Sequence, residues 1–232
     1  MNSNLYSCIR CVDEKNALNV FTDKVVKVGF TKAGKQRFRC KACGKTGMEN
    51  YSYRAYEVTL NDHIVRLTKE GMGIRSTARY LRISTNTLLR RIISIANELS
   101  IPQISTNKTY EVDEMRTYIK SKDRVVWIVC AYERESKRIV SFYTGHRTNK
   151  TLNVVLKTLQ LANAKRIFTD GLRNYRYLID KGIHRVKRFA TNHIERFNLT
   201  LRTHLKRLNR RTICFSRSLL LLNAVLKIYL FA

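Results

Sequence analysis

Acidic residues are scarce in this chain, so their placement carries information: 17 Asp+Glu stand against 45 Lys+Arg in 232 residues. Beyond residue 110, three acids occupy positions that chemistry would use. Asp113 lies inside an apolar strand run, YEVDEMRTYI. Asp170 ends a short run, RIFTD, and Gly171 behind it lets the backbone turn away. Glu195 stands in the first turn of a helical stretch among Arg, Lys and His, where residues 171–232 hold 14 Lys+Arg and only two acids, Asp180 and Glu195. Phosphodiester cleavage by two metal ions needs carboxylate oxygens converging on cations roughly 3.5–4 Å apart, one activating the attacking oxygen and one stabilising the leaving oxygen. Mg2+, or Mn2+ in its place, suits such an oxygen-only site. Each acid also has a plain reading: Asp113 as an edge-strand charge beside Glu114 as the true ligand, Asp170 as an Asp-Gly turn residue, and Glu195 as the capping-box partner of Asn192.

Cysteine spacing gives a second signal. Cys8-x2-Cys11 and Cys40-x2-Cys43 are two knuckles separated by 28 residues. Such pairs place four thiolates tetrahedrally around one zinc ion, at about 2.3 Å. Gly44 directly after the second knuckle permits a tight turn. With four protein ligands no position stays open, so this zinc is expected to be structural. Cys130, in an apolar strand run, and the solitary Cys214 read as small core hydrophobes. His193 and His204 are read as surface or phosphate-contacting residues and not as catalytic groups.

The positive charge is the loudest feature of the composition. The formal net charge is +28 and the pI about 10.3. A domain this basic repels itself without a polyanion, and nucleic acid is the usual one. A ribosomal protein or a binder of anionic membranes would also be basic. Hydrophobic residues make up 44%, enough for a sizeable core. The first residues, MNSNLYSCIRC, lack the apolar stretch of a signal peptide. The C-terminal SLLLLNAVLKIYLFA is apolar but interrupted by Asn223 and Lys227. A membrane span needs roughly 20 apolar residues, so this segment is expected to be a packing helix. A cytoplasmic, nucleoid-associated location with reduced cysteines and no membrane partner is the expectation.

Four segments follow from patterning: a zinc-ribbon module over 1–50, a helical module over 57–99, a linker over 100–109 holding the only proline, Pro102, and a catalytic segment over 110–232. In the helical module, Leu60, Ile64 and Leu67 share a face and the run ends at a glycine. Ile74–Leu81 is a second short helix with Ala78 at the crowded position, and Ser84 or Thr85 caps a third. This is a helix-turn-helix pattern, whose last helix enters the major groove. Thr85, Asn86 and Thr87 would then face base edges, with Arg90 and Arg91 on phosphates. A plain three-helix unit is the alternative. In the last segment, strand runs at 110–119, 125–132 and 138–144 precede a helix over 148–162. A short strand at 166–170, a helix over 171–182, a brief strand HRVKR and a helix on TNHIERFNLTLRTHLKRL (191–208) follow. The unbroken apolar run VVWIVCAY suits a central strand covered on both faces. The order implies an α/β domain, with a mixed sheet carrying helices on both faces.

On these residues the chain resembles the transposases of the insertion-sequence-1 type: EVDEM at 111–115, TDG at 169–171 and IERFNLTLR at 194–202, with the double CxxC and the helix-turn-helix before them. The resemblance implies a ribonuclease-H-like catalytic domain with an Asp-Asp-Glu triad, mapping onto Asp113, Asp170 and Glu195. It also implies a basic residue seven positions after the glutamate, and Arg202 stands there. Positions i and i+7 share a helix face, so Arg202, with Asn198 between, would hold a DNA phosphate beside the metal. Arg207, Arg210 and Arg211 would extend the phosphate track. Arg116 stands where an aromatic residue is expected. The expected function is a DNA transposase: hydrolysis of one strand at each element end, then attack of the 3′-hydroxyl on target DNA. Terminal inverted repeats, target DNA and further copies of the chain are the expected partners. The rival is a DNA-binding regulator with an inactive nuclease-like domain. A general basic RNA binder leaves acids at strand ends unexplained.

Overall fold

The computed structural model describes residues 25–32, 34–42, 44–48, 55 and 57–232. The chain divides into two units, Met1–Tyr56 and Glu57–Ala232. In the first, β1 (Val25–Phe30), β2 (Gln36–Cys40) and β3 (Thr46–Met48) form an antiparallel sheet in the order β1-β2-β3. Beyond β2 the chain turns tightly. Gly44 adopts φ +68, its N–H donates to the Cys40 carbonyl at 2.9 Å, and the Cys40 N–H donates to Lys45 O at 3.0 Å. Gly44 thus takes part in a tight turn after β2, and Cys40 is buried. The other three expected zinc ligands, Cys8, Cys11 and Cys43, lie outside the described residues.

The second unit opens with α1 (Leu60–Lys69), α2 (Ile74–Leu81) and α3 (Thr85–Glu98). Leu60 and Ile64, Ala78 and Leu81, and Leu88, Ile92 and Ile95 are buried at helical spacing. Three residues separate α2 from α3. Arg82 takes the left-handed conformation at φ 53, and the Ser84 hydroxyl caps α3 by accepting the Thr87 N–H at 3.1 Å.

A five-stranded sheet follows: β4 (Thr109–Tyr118), β5 (Val125–Glu133), β6 (Arg138–Gly145), β7 (Arg166–Thr169) and β8 (His184–Arg185). Its order is β6-β5-β4-β7-β8, antiparallel from β6 to β4 and parallel from β4 to β8. The crossover helix α4 (Asn149–Leu161), capped by Thr148, joins the two halves. Successive strand residues face opposite ways. Tyr110, Val112, Val129, Ala131 and Val140 pack with Leu152, Val155, Leu156 and Leu159 of α4 in one core. The opposite face, with Met115, Ile128 and Cys130, is covered by α6 (Asn192–His204) through the fully buried Ile194 and Leu201. The run VVWIVCAY is therefore a central strand buried from both sides. Each fully buried large side chain contributes about 1.5–3 kcal/mol.

The C-terminal segment is the packing helix α7 (Leu219–Phe231), whose cap Ser218 accepts the Leu221 N–H at 3.2 Å. It packs on α1 and α3 and reaches β6, where the Thr144 hydroxyl donates to Asn223 Oδ1 at 2.6 Å. The three-helix segment and the sheet therefore share a unit. Gly71, at the α1–α2 turn with φ +71, seats against the end of α6: a Cβ there would lie 2.1 Å from the His204 carbonyl oxygen. Among the described residues no helix is long and apolar enough to cross a membrane.

Two helices are shorter than periodicity predicts. The stretch 171–182 holds only α5 (Tyr175–Leu178). Asp170 and Asp180 take the N–H groups of Leu172 and Gly182 on their side chains, so both ends form local turns instead of helix. α6 stops at His204, where Leu205 turns extended and a 3-10 turn, Lys206–Leu208, buries Leu205 and Leu208.

Candidate active site

Parallel pairing of β4 with β7 sets Val112 opposite Thr169. The residue after each is an aspartate, so Asp113 on β4 and Asp170 just past the end of β7 occupy neighbouring positions where the pairing stops, and their charges repel. The Asp113 carboxyl is pushed up to about 6. Burial is the main cause, and the negative charges of Glu114 and Asp170 add to it. The Glu114 N–H and the Asn198 amide pull the other way. Asp170 is exposed, and its Oδ1 accepts the Leu172 N–H at 3.0 Å. The turn role and the position beside Asp113 coexist.

Strand alternation decides between Asp113 and Glu114. Glu114 points to the α4 face and is already engaged. It accepts Arg147 Nη2 at 2.9 Å and Nε at 3.2 Å, and it accepts the hydroxyl of the buried Tyr175. The Arg147 guanidinium lies 4.6 Å over the Trp127 ring. Asp113 points to the α6 face, where Asn198 Nδ2 donates to its Oδ2 at 2.8 Å. Burial lowers the Arg202 pKa, repulsion from Arg210 lowers it further, and the Asp113 charge opposes both.

Glu195 is placed apart from this pair. Ile194, Asn198 and Leu201 form the buried stripe of α6, whereas Glu195 is exposed and its Oε1 accepts the Thr191 hydroxyl at 2.7 Å. Among the described residues no three of His, Cys, Asp and Glu converge closely enough to hold one metal ion. The capping box with Asn192 does not form either, since Glu195 bonds to a hydroxyl and not to a cap N–H.

The cap of α6 comes from a residue that sequence reasoning passed over. Glu111 is fully buried. Its Oε2 accepts the Ile194 N–H at 3.0 Å, while its Oε1 takes Arg134 Nε at 2.6 Å and faces His193 Nδ1 at 2.7 Å. Arg134 also donates to the Ala190 carbonyl and stacks 4.0 Å over Phe168. His193 stacks on Tyr132. A negative charge at a helix N-terminus is favourable, and this one fixes α6 on the sheet. The available signal was parity: Glu111 and Asp113 sit two apart on one strand and so share a face.

Thr85, Asn86 and Arg90 are exposed along the N-terminal half of α3, and Arg91 is half-buried. Arg207 turns inward: its Nη1 donates to Ser216 Oγ at 3.2 Å, and burial lowers its pKa. Arg210 and Arg211 remain exposed. Arg116 is exposed, its guanidinium 5.3 Å over the Tyr118 ring.

An aspartate within β4 beside one just past the end of β7, in a mixed sheet preceded by three short helices, is the arrangement expected of a nucleic-acid-processing protein. Comparison with known proteins agrees. Residues 108–232 match the family model described as IS1 transposase, and residues 51–94 match that of the InsA C-terminal domain. The insertion element iso-IS1n protein InsB of Shigella dysenteriae is 38% identical over 108 residues, 47% of this chain and 82% of that protein. The insertion element IS1 4 protein InsB of Escherichia coli (strain K12) is 36% identical over 120 residues, 52% of this chain and 72% of that protein. This chain belongs to the IS1 transposase family. A solved simian T-cell lymphotropic virus intasome, in complex with PP2A regulatory subunit B56 gamma, overlaps at 14% identity with TM-score 0.38, over 70% of this chain and 66% of that one.

Proposed function

We propose that the chain cleaves DNA at the ends of its element and joins the resulting 3′-hydroxyl to target DNA. One observation carries the reading: the β4–β7 register that sets Asp113 beside Asp170. The sheet order β6-β5-β4-β7-β8, three antiparallel strands followed by two parallel ones, supports a ribonuclease-H-like domain. The donors at the site suit a hard divalent cation. Asp113 and Asp170 follow register-paired residues and repel each other, and Asn198, bonded to Asp113, has a buried Oδ1 without a hydrogen-bond partner. Asp113 and Asp170 would hold Mg2+ or Mn2+, with Glu195 joining once its side chain leaves Thr191. Such a cation, when bound, activates the attacking oxygen and offsets charge on the leaving one.

The chain's own residues do the rest. Glu111 and Arg134 fix the start of α6. Arg202 faces the Asp113 side of that helix, where a phosphate oxygen satisfies its charge. Thr85, Asn86, Arg90 and Arg91 of α3 read and hold the inverted repeats, and Cys8, Cys11, Cys40 and Cys43 hold a structural zinc. Two ends must meet for transposition, so the active form is a homo-oligomer on DNA. The test is purified full-length chain with Mg2+ and duplex DNA carrying the parent element's ends. Site-specific nicks at the 3′ ends, followed by joined products, are expected. Tight end-binding with no nick would favour the inactive regulator, the reading to which the exposed Glu195 lends weight.

A further inference from the structure

Four buried side-chain polar atoms among the described residues have no hydrogen-bond partner: Asn61 Oδ1, Glu133 Oε2, Asn198 Oδ1 and Arg202 Nε. Two of the four stand four residues apart on α6, and so on one face of it. Both adjoin Asp113, Asn198 by a 2.8 Å hydrogen bond and Arg202 by charge. Buried polar groups are costly to leave unpaired, so an orphaned acceptor and an orphaned donor on one helix face point to ligands arriving on that face.

Asn198 is only 6% exposed. A duplex backbone cannot reach it as it reaches the exposed arginines. Its Nδ2 is committed to Asp113 Oδ2, which fixes the amide and leaves Oδ1 as a carbonyl-type oxygen beside a carboxylate. Hard cations take side-chain amide oxygens together with carboxylates, and Mg2+ keeps waters that need acceptors.

We propose that Asn198 contributes its Oδ1 to the oxygen shell of a divalent cation held by Asp113 and Asp170. This rests on the two-aspartate metal reading above and adds a ligand to it. One amide then serves two ends: its N–H orients Asp113, and its oxygen faces the cation. Arg202 Nε, one turn further on, is the donor left for a phosphate oxygen brought by DNA.

The test is Mn2+ binding to the full-length chain without DNA, by calorimetry and by loss of the free Mn2+ paramagnetic resonance signal. Asn198→Ala is expected to weaken Mn2+ about tenfold or more, the usual range for losing a supporting group at a metal site. Asn198→Asp keeps an oxygen in place and is expected to bind Mn2+ at least as tightly as the parent chain. Arg202→Ala removes a positive charge beside Asp113 and is expected to bind Mn2+ at least as tightly as the parent chain. Parent-like affinity in Asn198→Ala, with binding lost in Asp113→Ala, would overturn the role of Asn198 alone. Parent-like affinity in Asp113→Ala would overturn the two-aspartate reading itself. Should Asn198→Ala fail to fold, Asn198→Asp decides: weaker Mn2+ than the parent means that the amide only positions Asp113.

Discussion

The Glu111 carboxylate on β4 accepts the backbone N–H of Ile194 at 3.0 Å, so a strand residue caps the helix that carries Glu195, Asn198 and Arg202. The same carboxylate neutralises Arg134. Glu111→Ala leaves a partly buried guanidinium and a helix terminus without their partner. Breaking a buried pair from one side costs about 3–5 kcal/mol, and a loss near the low end is expected because Arg134 retains some solvent. Urea denaturation measures it. An unchanged midpoint would mean that the clamp contributes nothing.

Asp113 gives stability a defined pH dependence. Its folded pKa is raised from the ordinary 3.8 to about 6, first by burial and then by Glu114 and Asp170. A carboxyl that holds its proton more tightly folded than unfolded contributes most below the unfolded value. Its contribution declines as pH rises from 3.8 to about 6. Denaturation series in chelator across that window are expected to show a declining component that disappears in Asp113→Asn. An identical slope in the two proteins would rule out Asp113 as its source.

Much of this was legible in the residues, and the failures have physical causes. The strands at 109–118, 125–133 and 138–145 were visible because apolar β-branched runs are rare outside strands, and the cap of α3 was narrowed to Ser84 or Thr85 because both hydroxyls sit just before apolar periodicity. Alternation put Asp113 and Glu114 on opposite faces but did not say which face α6 would cover; only tertiary packing decides that. Glu111 was overlooked because a buried, fully partnered acid has the same letter as an exposed one. Glu195 was placed in the right helix, yet its rotation about the helix axis depends on Ile194 and Leu201 seeking the core. α5 fell short because Asp170 and Asp180 spend their side chains on local N–H groups.

The α1–α2 turn depends on one residue without a side chain. Gly71→Ala introduces a Cβ 2.1 Å from the His204 carbonyl oxygen, at a φ of +71 that L side chains rarely adopt. A loss of about 2–3 kcal/mol is expected from strain and displacement together. It should appear in calorimetry as a lowered Tm. A melting curve matching the parent protein would show that the turn relaxes freely away from α6.

Arg90 lies exposed on α3 and Arg91 half-buried beside it. If both hold phosphates, each lost contact lowers the slope of log affinity against log salt by about 0.9. Binding of end-bearing duplex by the double variant Arg90→Ala, Arg91→Ala, titrated across salt, reads this directly. A parent-like slope would reject the phosphate role of Arg90 and Arg91.

The sharpest prediction concerns Glu195, because its placement and its expected role pull in different directions. Its carboxylate is exposed and held by Thr191, while Asp113 and Asp170 already adjoin. Glu195 nevertheless precedes Asn198 by three residues, so both project from neighbouring positions on α6. Joining the aspartates requires its side chain to leave Thr191. If it joins the aspartates when the cation and DNA bind, Asp113→Ala, Asp170→Ala and Glu195→Ala should all lower end-nicking by about three orders of magnitude. That corresponds to about 4 kcal/mol of lost transition-state stabilisation. End-binding should persist in all three, because α3 and the N-terminal unit are untouched. Arg202→Ala should be milder, since it contacts phosphate without holding the cation. Single-turnover nicking and gel-shift assays on the same preparations separate the two quantities. Near-normal nicking in Glu195→Ala, with both aspartate variants dead, would leave Glu195 as only the hydrogen-bond partner of Thr191 and reduce the catalytic set to Asp113 and Asp170.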